Sequence, residues 1–442
     1  MNAGDTKVKN FQCYIDGQWC DAAGGERLDS INPATEEVWS TIPNCQEVDV
    51  NRAVEAAHRA FTQGDWPNTP PVQRGRILRD IADALPGASD RLAKLEVQDS
   101  GKIYTESTGF QKFCASFFQF FGELADKAHG QTFTTPFPGI QAYTHRVPVG
   151  VVAAVIPWNN PLWLLSMKVG PAIAAGNTVV IKSSELCSAP MIEWVKLVEE
   201  TVDIPPGVIN IVTGTGDPCG KTLTSHPLVS KIAFTGGPGT ARHIVHNSAN
   251  NLAELTLELG GKSPVIVFPD ADMDNAVQSI CAGVFLGSAG QSCVAGSRAL
   301  VHKDVFDEFL ERFTAAARQI TVGDPFDEAV KMGPLATPAQ RERIMQAVDA
   351  AVEAGAELVL GGQIPDHLDK GYFYEPTILV CRDHSLPIVH TELFGPVICV
   401  TPFEDEADAI RLANDTSYGL ASGFFTRDLG TAMRLTKAVR SG

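Results

Sequence analysis

The sequence predicts an α/β protein in which a doubly wound parallel sheet is followed by a second α/β lobe, and three observations carry that expectation. Its 442 residues exceed what one hydrophobic core ordinarily organises, so two or more substructures are expected. From Gly150 onward, near-continuous Val/Ile/Ala runs alternate with helical periodicity, the pattern of parallel strands buried on both faces. A second alternation of this kind starts near Ser263.

The opening segments "CYIDGQW" and "INPATEEVWSTIP" read as short strands with turns. "EVDVNRAVEAAHRAFTQG" and "VQRGRILRDIADALPGASDRLAKLEVQDSG" repeat apolar residues at helical intervals and predict two helices. Between Phe133 and Val149, "FTTPFPGIQAYTHRVPV" predicts a strand pair turning at Pro138-Gly139. "GVVAAVIP" then predicts a buried strand, "SMKVGPAIAAG" a helix, "NTVVIKSS" a strand and "APMIEWVKLVEETV" a helix, with "INIVTG" and "KIAFTGG" as further strands. The second lobe draws on "SPVIVF", "SRALVHKDVFDEFLERFTAAARQI", "IMQAVDAAVEAGAELVLGG" and "EPTILVCRD". A doubly wound sheet binds its ligands at the carboxyl ends of the strands.

Hydrophobic residues at 44% and charged residues at 20% describe a globular chain. A formal net charge of −17 and a pI near 5.0 argue against nucleic acid and against an anionic membrane surface, since both require clustered Lys and Arg. There is neither a signal peptide nor a transmembrane run, and ten cysteines scatter from Cys13 to Cys399 without a disulfide spacing; both point to the cytoplasm. No metal site is expected: His243 and His246 stand at helical spacing with no Cys, Asp or Glu beside them.

Two glycine loops invite a phosphate. "GTGDPCGKT" at 214–222 fails the spacing of a triphosphate loop, and Pro218 removes a backbone N–H that such a cradle uses. "FTGGPGTAR" at 234–242 follows a strand and opens a helix, where backbone N–H groups and the helix dipole meet a pyrophosphate. A tight turn without a ligand accounts for it equally well.

Four stretches together carry chemistry. "IPWNNP" at 156–161 ends a strand with Asn159, whose amide can donate to an oxyanion. "LELGGKSP" at 257–264 sets Glu258, a potential base, beside a glycine pair. "GQSCVAGSR" at 290–298 frames Cys293 with small residues; it is either a core cysteine or a nucleophile approached closely by substrate. "ELFGPV" at 392–397 adds Glu392 and Phe394. Nucleophile, base and oxyanion donor are what acyl transfer requires.

These motifs, in this order and over essentially the whole length, resemble the NAD(P)-dependent aldehyde dehydrogenase family. The resemblance implies a Rossmann-like cofactor domain over 1–132 and 150–261, an oligomerisation strand pair over 133–149 and an α/β catalytic domain over 262–442. It implies that Cys293 attacks the aldehyde carbon and that the Asn159 amide and the Cys293 N–H hold the oxyanion. The thiohemiacetal then gives hydride to the nicotinamide, and Glu258 activates the water that hydrolyses the thioester. The first step needs a thiolate, so a lowered Cys293 pKa is expected; its small neighbours would leave room for substrate and nicotinamide. Lys168 matches a proton-relay lysine, with a surface lysine as the plain alternative. Trp158, Lys182, Glu185, Gly236, Gly237, Glu392 and Phe394 match the cofactor-binding positions, and Glu185 favours NAD over NADP because a carboxylate repels a 2′-phosphate. Ala241 departs from the family's glycine loop.

Asn160, Trp163, Leu164 and Met167 match the substrate tunnel, with aromatics from "SFFQFFG" at 116–122. Such a lining suits a medium or aromatic aldehyde, and Met167, standing where relatives that bind quaternary ammonium aldehydes carry an aromatic, disfavours betaine aldehyde. The family pattern continues beyond the final "AVRSG", so a truncated C-terminal segment is expected. A homodimer or homotetramer is implied if that segment is dispensable. The alternatives are an inactive truncated member with a binding or structural role, and a CoA-acylating relative.

Overall fold

The computed structural model describes residues 8–442 and divides them into two compact units. One comprises the chain up to Ile31, Val38–Asp99 and Ser107–Glu258; the other comprises Asn32–Glu37, Ser100–Glu106 and Leu259–Gly442.

The first unit is built on a seven-stranded sheet in the order Glu254–Glu258, Val229–Thr235, Val151–Ile156, Thr178–Ser183, Ile209–Val212, Cys13–Ile15, Gln18–Cys20. The first five strands are parallel and the last two form an antiparallel edge hairpin. All six residues of Thr178–Ser183 are buried, as a strand covered on both faces requires. Helices Pro161–Ala174 and Ala189–Thr201 connect successive strands. After Ile209–Val212 the chain returns to the other side of Val151–Ile156, so the strand order reverses between that strand and Val229–Thr235. Such a switch point opens a crevice at the carboxyl ends of the two strands.

Two elements differ from expectation. The helix before Thr178 starts at Pro161, not Ser166, because proline presets the first helical turn and the all-apolar run gives no amphipathic start signal. A helix over Tyr104–Leu124 was foreshadowed only by its aromatics. The strand pair near 133–149 is short, Thr132–Phe133 against Ala142–Tyr143, with Gly139 at φ +81 in the turn.

The second unit carries a six-stranded sheet in the order Glu357–Leu360, Thr377–Val380, Val397–Phe403, Arg298–His302, Pro264–Val267, Gly423–Phe425. Only Glu357–Leu360 runs antiparallel to its neighbour. Four of its helices start on an oxygen cap: Asp272, Thr337, Asp405 and Asp428 each accept an N–H from the first turn. The core on one face gathers Val267, Phe285, Phe309 and Phe313; on the other, Ile266, Leu300, Phe403 and Leu412 pack together.

Candidate active site

In the first unit the candidate side chains collect at the carboxyl ends of the parallel strands. Strand Val151–Ile156 delivers Trp158, Asn159 and Asn160, the last two buried. Asn160 is also the N-cap of helix Pro161–Ala174, so the oxyanion-donor candidate lies directly before a helix start. The same helix carries Trp163, Leu164 and Met167, with Met167 exposed. Trp163 stacks on Phe110 with ring centroids 5.3 Å apart at 24°, and Phe117 tilts against it at 6.5 Å. These three rings form one aromatic wall.

Lys168 is buried, not on the surface, and its Nζ donates to Thr235 Oγ1. Thr235 ends its strand directly opposite Glu258, and the Gly236 N–H donates to the Glu258 carbonyl at 3.0 Å. Lys168, Thr235, Gly236 and Glu258 are thus brought together, with the Glu258 side chain exposed. Thr235 was not singled out from sequence, since a threonine at a strand end carries no signal of its own. At the next strand, buried Lys182 meets Glu185 at 3.5 Å, a half-exposed carboxylate beside a buried ammonium.

Gly236 and Gly237 behave differently. A Cβ on Gly236 would meet the Phe234 ring at 2.5 Å, so this glycine is required by internal packing. A Cβ on Gly237 would meet nothing within 4 Å. Gly237 is the N-cap of helix Pro238–Ser248, whose first N–H groups lack intrahelical acceptors, the backbone setting in which anions are bound.

In the second unit, Cys293 lies in a loop that stores strain. Ser288, Ala289 and Gly290 are all left-handed, at φ 50, 53 and 71, which costs about 1–2 kcal/mol for each of the two residues carrying a Cβ. Glu106 holds this turn: its carboxylate accepts the Ser288 N–H at 3.0–3.1 Å and the Ser288 hydroxyl at 2.8 Å. Buried Gln291 ties the loop further, donating to Ser288 O at 3.0 Å and accepting the Ala336 N–H at 2.9 Å. Nothing in the sequence pairs Glu106 with a residue 182 positions away.

The small residues around Cys293 serve packing. A Cβ on Gly290 would meet the Gly395 carbonyl oxygen at 2.3 Å, and one on Gly296 the Val265 side chain at 2.4 Å. Protein packing by itself therefore requires glycine at these two positions. Cys293 itself is half-buried, whereas eight of the ten cysteines are fully buried.

The glycine pair after Leu259 links Cys293 to Glu392. The Gly261 N–H donates to Glu392 Oε1 at 3.0 Å. A Cβ on Gly261 would lie 2.4 Å from the Cys293 carbonyl oxygen, and one on Gly260 2.0 Å from Glu392 Oε2. Burial raises the Glu392 carboxyl above its ordinary range, opposed by the Gly261 N–H and the charges of Lys262 and Arg343. Phe394, two residues on, is left-handed at φ 58. The segment before Glu392 is fixed by His390, whose ring nitrogens face the carbonyl oxygens of Asp415 at 3.0 Å and His384 at 2.7 Å.

A doubly wound sheet with candidate polar residues at its switch point has the architecture of a nucleotide-dependent enzyme. Residues 19–442 match the model of the aldehyde dehydrogenase family. The (Z)-2-((N-methylformamido)methylene)-5-hydroxybutyrolactone dehydrogenase of Acinetobacter baylyi is 49% identical over 436 residues, 98% of this chain and 88% of its own. The chloroplastic betaine aldehyde dehydrogenase of Beta vulgaris is 40% identical over 441 residues, again 98% and 88% of the two chains. The crystal structure of Staphylococcus aureus betaine aldehyde dehydrogenase in complex with NAD+ superposes with a TM-score of 0.95 at 39% identity, covering 98% of this chain and 86% of that one. The chain belongs to the aldehyde dehydrogenase family, and with it to the NAD(P)-dependent oxidoreductases that act on aldehydes. Among the described residues no helix is long and apolar enough to cross a membrane.

Proposed function

We propose that the chain oxidises a neutral, cyclic or aromatic aldehyde to the carboxylic acid with NAD, through a thiohemiacetal and a thioester on Cys293. The placement of Cys293 carries this reading: a half-buried thiol among buried ones, on a strained loop whose backbone is braced by Glu106, Gln291 and Gly261. A nucleophile gains rate from being held in its reactive geometry, and a core cysteine needs no such bracing.

The Cys293 thiolate adds to the carbonyl carbon, and the oxyanion so formed is taken by the Asn159 amide and the Cys293 N–H. NAD, when bound, accepts the hydride whose loss turns the thiohemiacetal into a thioester. Glu258 takes a proton from the attacking water, the C–S bond breaks, and the carboxylate leaves with Cys293 restored as thiolate. Lys168, bonded to Thr235 whose strand partner is Glu258, serves proton movement. Lys182 and Glu185 hold the adenosine ribose, Gly236 and Gly237 pass the phosphates, Trp158 flanks the cofactor, and Glu392 with Phe394 holds the nicotinamide ribose.

The Trp163–Phe110–Phe117 wall supports a flat or cyclic substrate, in keeping with the lactone ring in the name of the Acinetobacter relative. Exposed Met167 offers no aromatic face to a quaternary ammonium, which sets this chain apart from a betaine aldehyde enzyme. The strand pair at 132–143 leaves Phe133, Phe137, Ile140 and Tyr143 exposed, which suits an oligomerisation arm of a homodimer or homotetramer working in the cytoplasm.

The test incubates the chain with NAD and a panel of aliphatic, aromatic and cyclic aldehydes while following NADH absorbance. Turnover is expected, fastest with cyclic or aromatic members. Cys293→Ala should abolish it while NAD binding persists, and continued turnover in that variant would overturn the mechanism.

A further inference from the structure

Three cysteines of the first unit meet at the edge hairpin of its sheet. Buried Cys13, on strand Cys13–Ile15, has its Sγ 3.3 Å from the Sγ of buried Cys45, 32 positions on. Cys20, on the return strand Gln18–Cys20, stands directly opposite Cys13 in the antiparallel register, so the two side chains leave the same face. Unlike the other two it is half-buried, and the Arg52 guanidinium donates from Nη2 to its Sγ at 3.0 Å.

The three form a series from solvent to core: Cys20, Cys13, Cys45. Burial raises the Cys20 thiol above its ordinary value, and the charge of Arg52 opposes the rise. The Cys45 S–H holds Cys13 below the ordinary thiol range, which favours a thiolate there. The Cys13 and Cys45 sulfurs must approach by roughly 1.3 Å to bond. The hairpin can supply that shift, because its strands are three residues long and it joins the sheet through one register pair, Tyr14 with Ile211. The aldehyde chemistry uses none of the three.

We propose that Cys13 and Cys45 form a reversible disulfide when a hydroperoxide oxidises the chain, with Cys20 as the point of entry. With hydrogen peroxide, the Cys20 thiolate attacks one oxygen, the O–O bond breaks, and hydroxide departs to leave a sulfenic acid. The Cys13 thiolate displaces a second hydroxide from that sulfur and forms a Cys13–Cys20 bond. Directly opposite residues hold their Cβ atoms about 4.5–5.5 Å apart, whereas a relaxed disulfide takes about 3.8 Å, so this cross-strand bond is readily exchanged. Cys45 attacks Cys13 Sγ, the Cys13–Cys20 bond breaks, and the Cys45 proton goes to the departing Cys20. In sum the Cys13 and Cys45 thiols give two electrons and two protons to one peroxide, which becomes two waters.

The folded full chain is exposed to hydrogen peroxide at neutral pH, its free thiols are capped with N-ethylmaleimide, and it is digested without reductant for mass spectrometry. Trypsin with an aspartate-directed protease places Cys13, Cys20 and Cys45 in separate peptides. A linked Cys13–Cys45 peptide pair is expected, lighter than the two reduced peptides by two hydrogen atoms and lost on treatment with dithiothreitol. Cys20→Ser should slow its appearance roughly tenfold, since the buried pair is then deprived of its exposed partner. Cys45→Ser should instead collect the Cys13–Cys20 bond. A parent that yields no Cys13–Cys45 pair while circular dichroism shows it folded overturns the proposal, and an unchanged rate in Cys20→Ser overturns the entry role. Should Cys45→Ser not fold, the parent and Cys20→Ser, altered at a half-buried position, decide.

Discussion

Replacing Gly260 by alanine tests the link from the glycine pair to cofactor binding. Gly260 is not left-handed, so alanine suits its backbone and the effect of the substitution is steric. The new Cβ would stand 2.0 Å from Glu392 Oε2, 2.6 Å from Cδ and 2.8 Å from Oε1, whereas ordinary contact begins at 3.4 Å. The carboxylate must therefore retreat by roughly 1.4 Å, which breaks its 3.0 Å bond from the Gly261 N–H. Because the obstructed atoms end a flexible side chain, the fold should lose only about 1 kcal/mol, the net value of one hydrogen bond. A charge-assisted bond from Glu392 to a ribose hydroxyl is worth about 1.5–3 kcal/mol, so NAD affinity should fall roughly 10- to 100-fold. Fluorescence titration with NAD and thermal unfolding read the two effects separately. Gly87→Ala, where a Cβ meets nothing within 4 Å, is the control. A folded Gly260→Ala protein that binds NAD as the parent does would refute the placement of Glu392 against the cofactor. Gly261→Ala makes the contrast: its Cβ meets the Cys293 backbone at 2.4 Å, which cannot retreat cheaply, so stability should fall by about 1–3 kcal/mol and turnover with it.

Gly237→Ala should leave the melting temperature unchanged, since its Cβ enters open space, yet weaken NAD binding several-fold; unaltered affinity by calorimetry would move the phosphates elsewhere. Glu258→Gln should release a first burst of NADH and then turn over slowly, because the thioester accumulates; stopped-flow absorbance showing undiminished steady-state turnover would remove Glu258 from the mechanism. Burial raises the Glu392 carboxyl above the ordinary 4.5, so on acidification the carboxylate is lost earlier than in an exposed glutamate. NAD affinity should accordingly decline at a pH above 4.5, and Glu392→Gln, which cannot titrate, should show no such decline.

The sequence by itself determined the kinds of element and the positions where chemistry ends a strand. Parallel strands buried on both faces must be largely apolar, so "GVVAAVIP" and "NTVVIKSS" announce themselves, and Asn159, just after the first, and Lys182, near the end of the second, fall at carboxyl ends without further information. The motif order around Asn159, Glu258, Cys293 and Glu392 likewise belongs to the linear chain and pointed to the family. Only the tertiary structure decided what the glycines are for, because steric need depends on which atoms lie opposite. Gly236 answers to Phe234, Gly260 to Glu392 and Gly290 to Gly395, while Gly237 answers to no protein atom within 4 Å. The same holds for Glu106 on Ser288 and Lys168 on Thr235. Hydrophobic periodicity acts over a few residues and is written locally, whereas hydrogen bonds and charges pair across the fold and leave no mark in the intervening sequence.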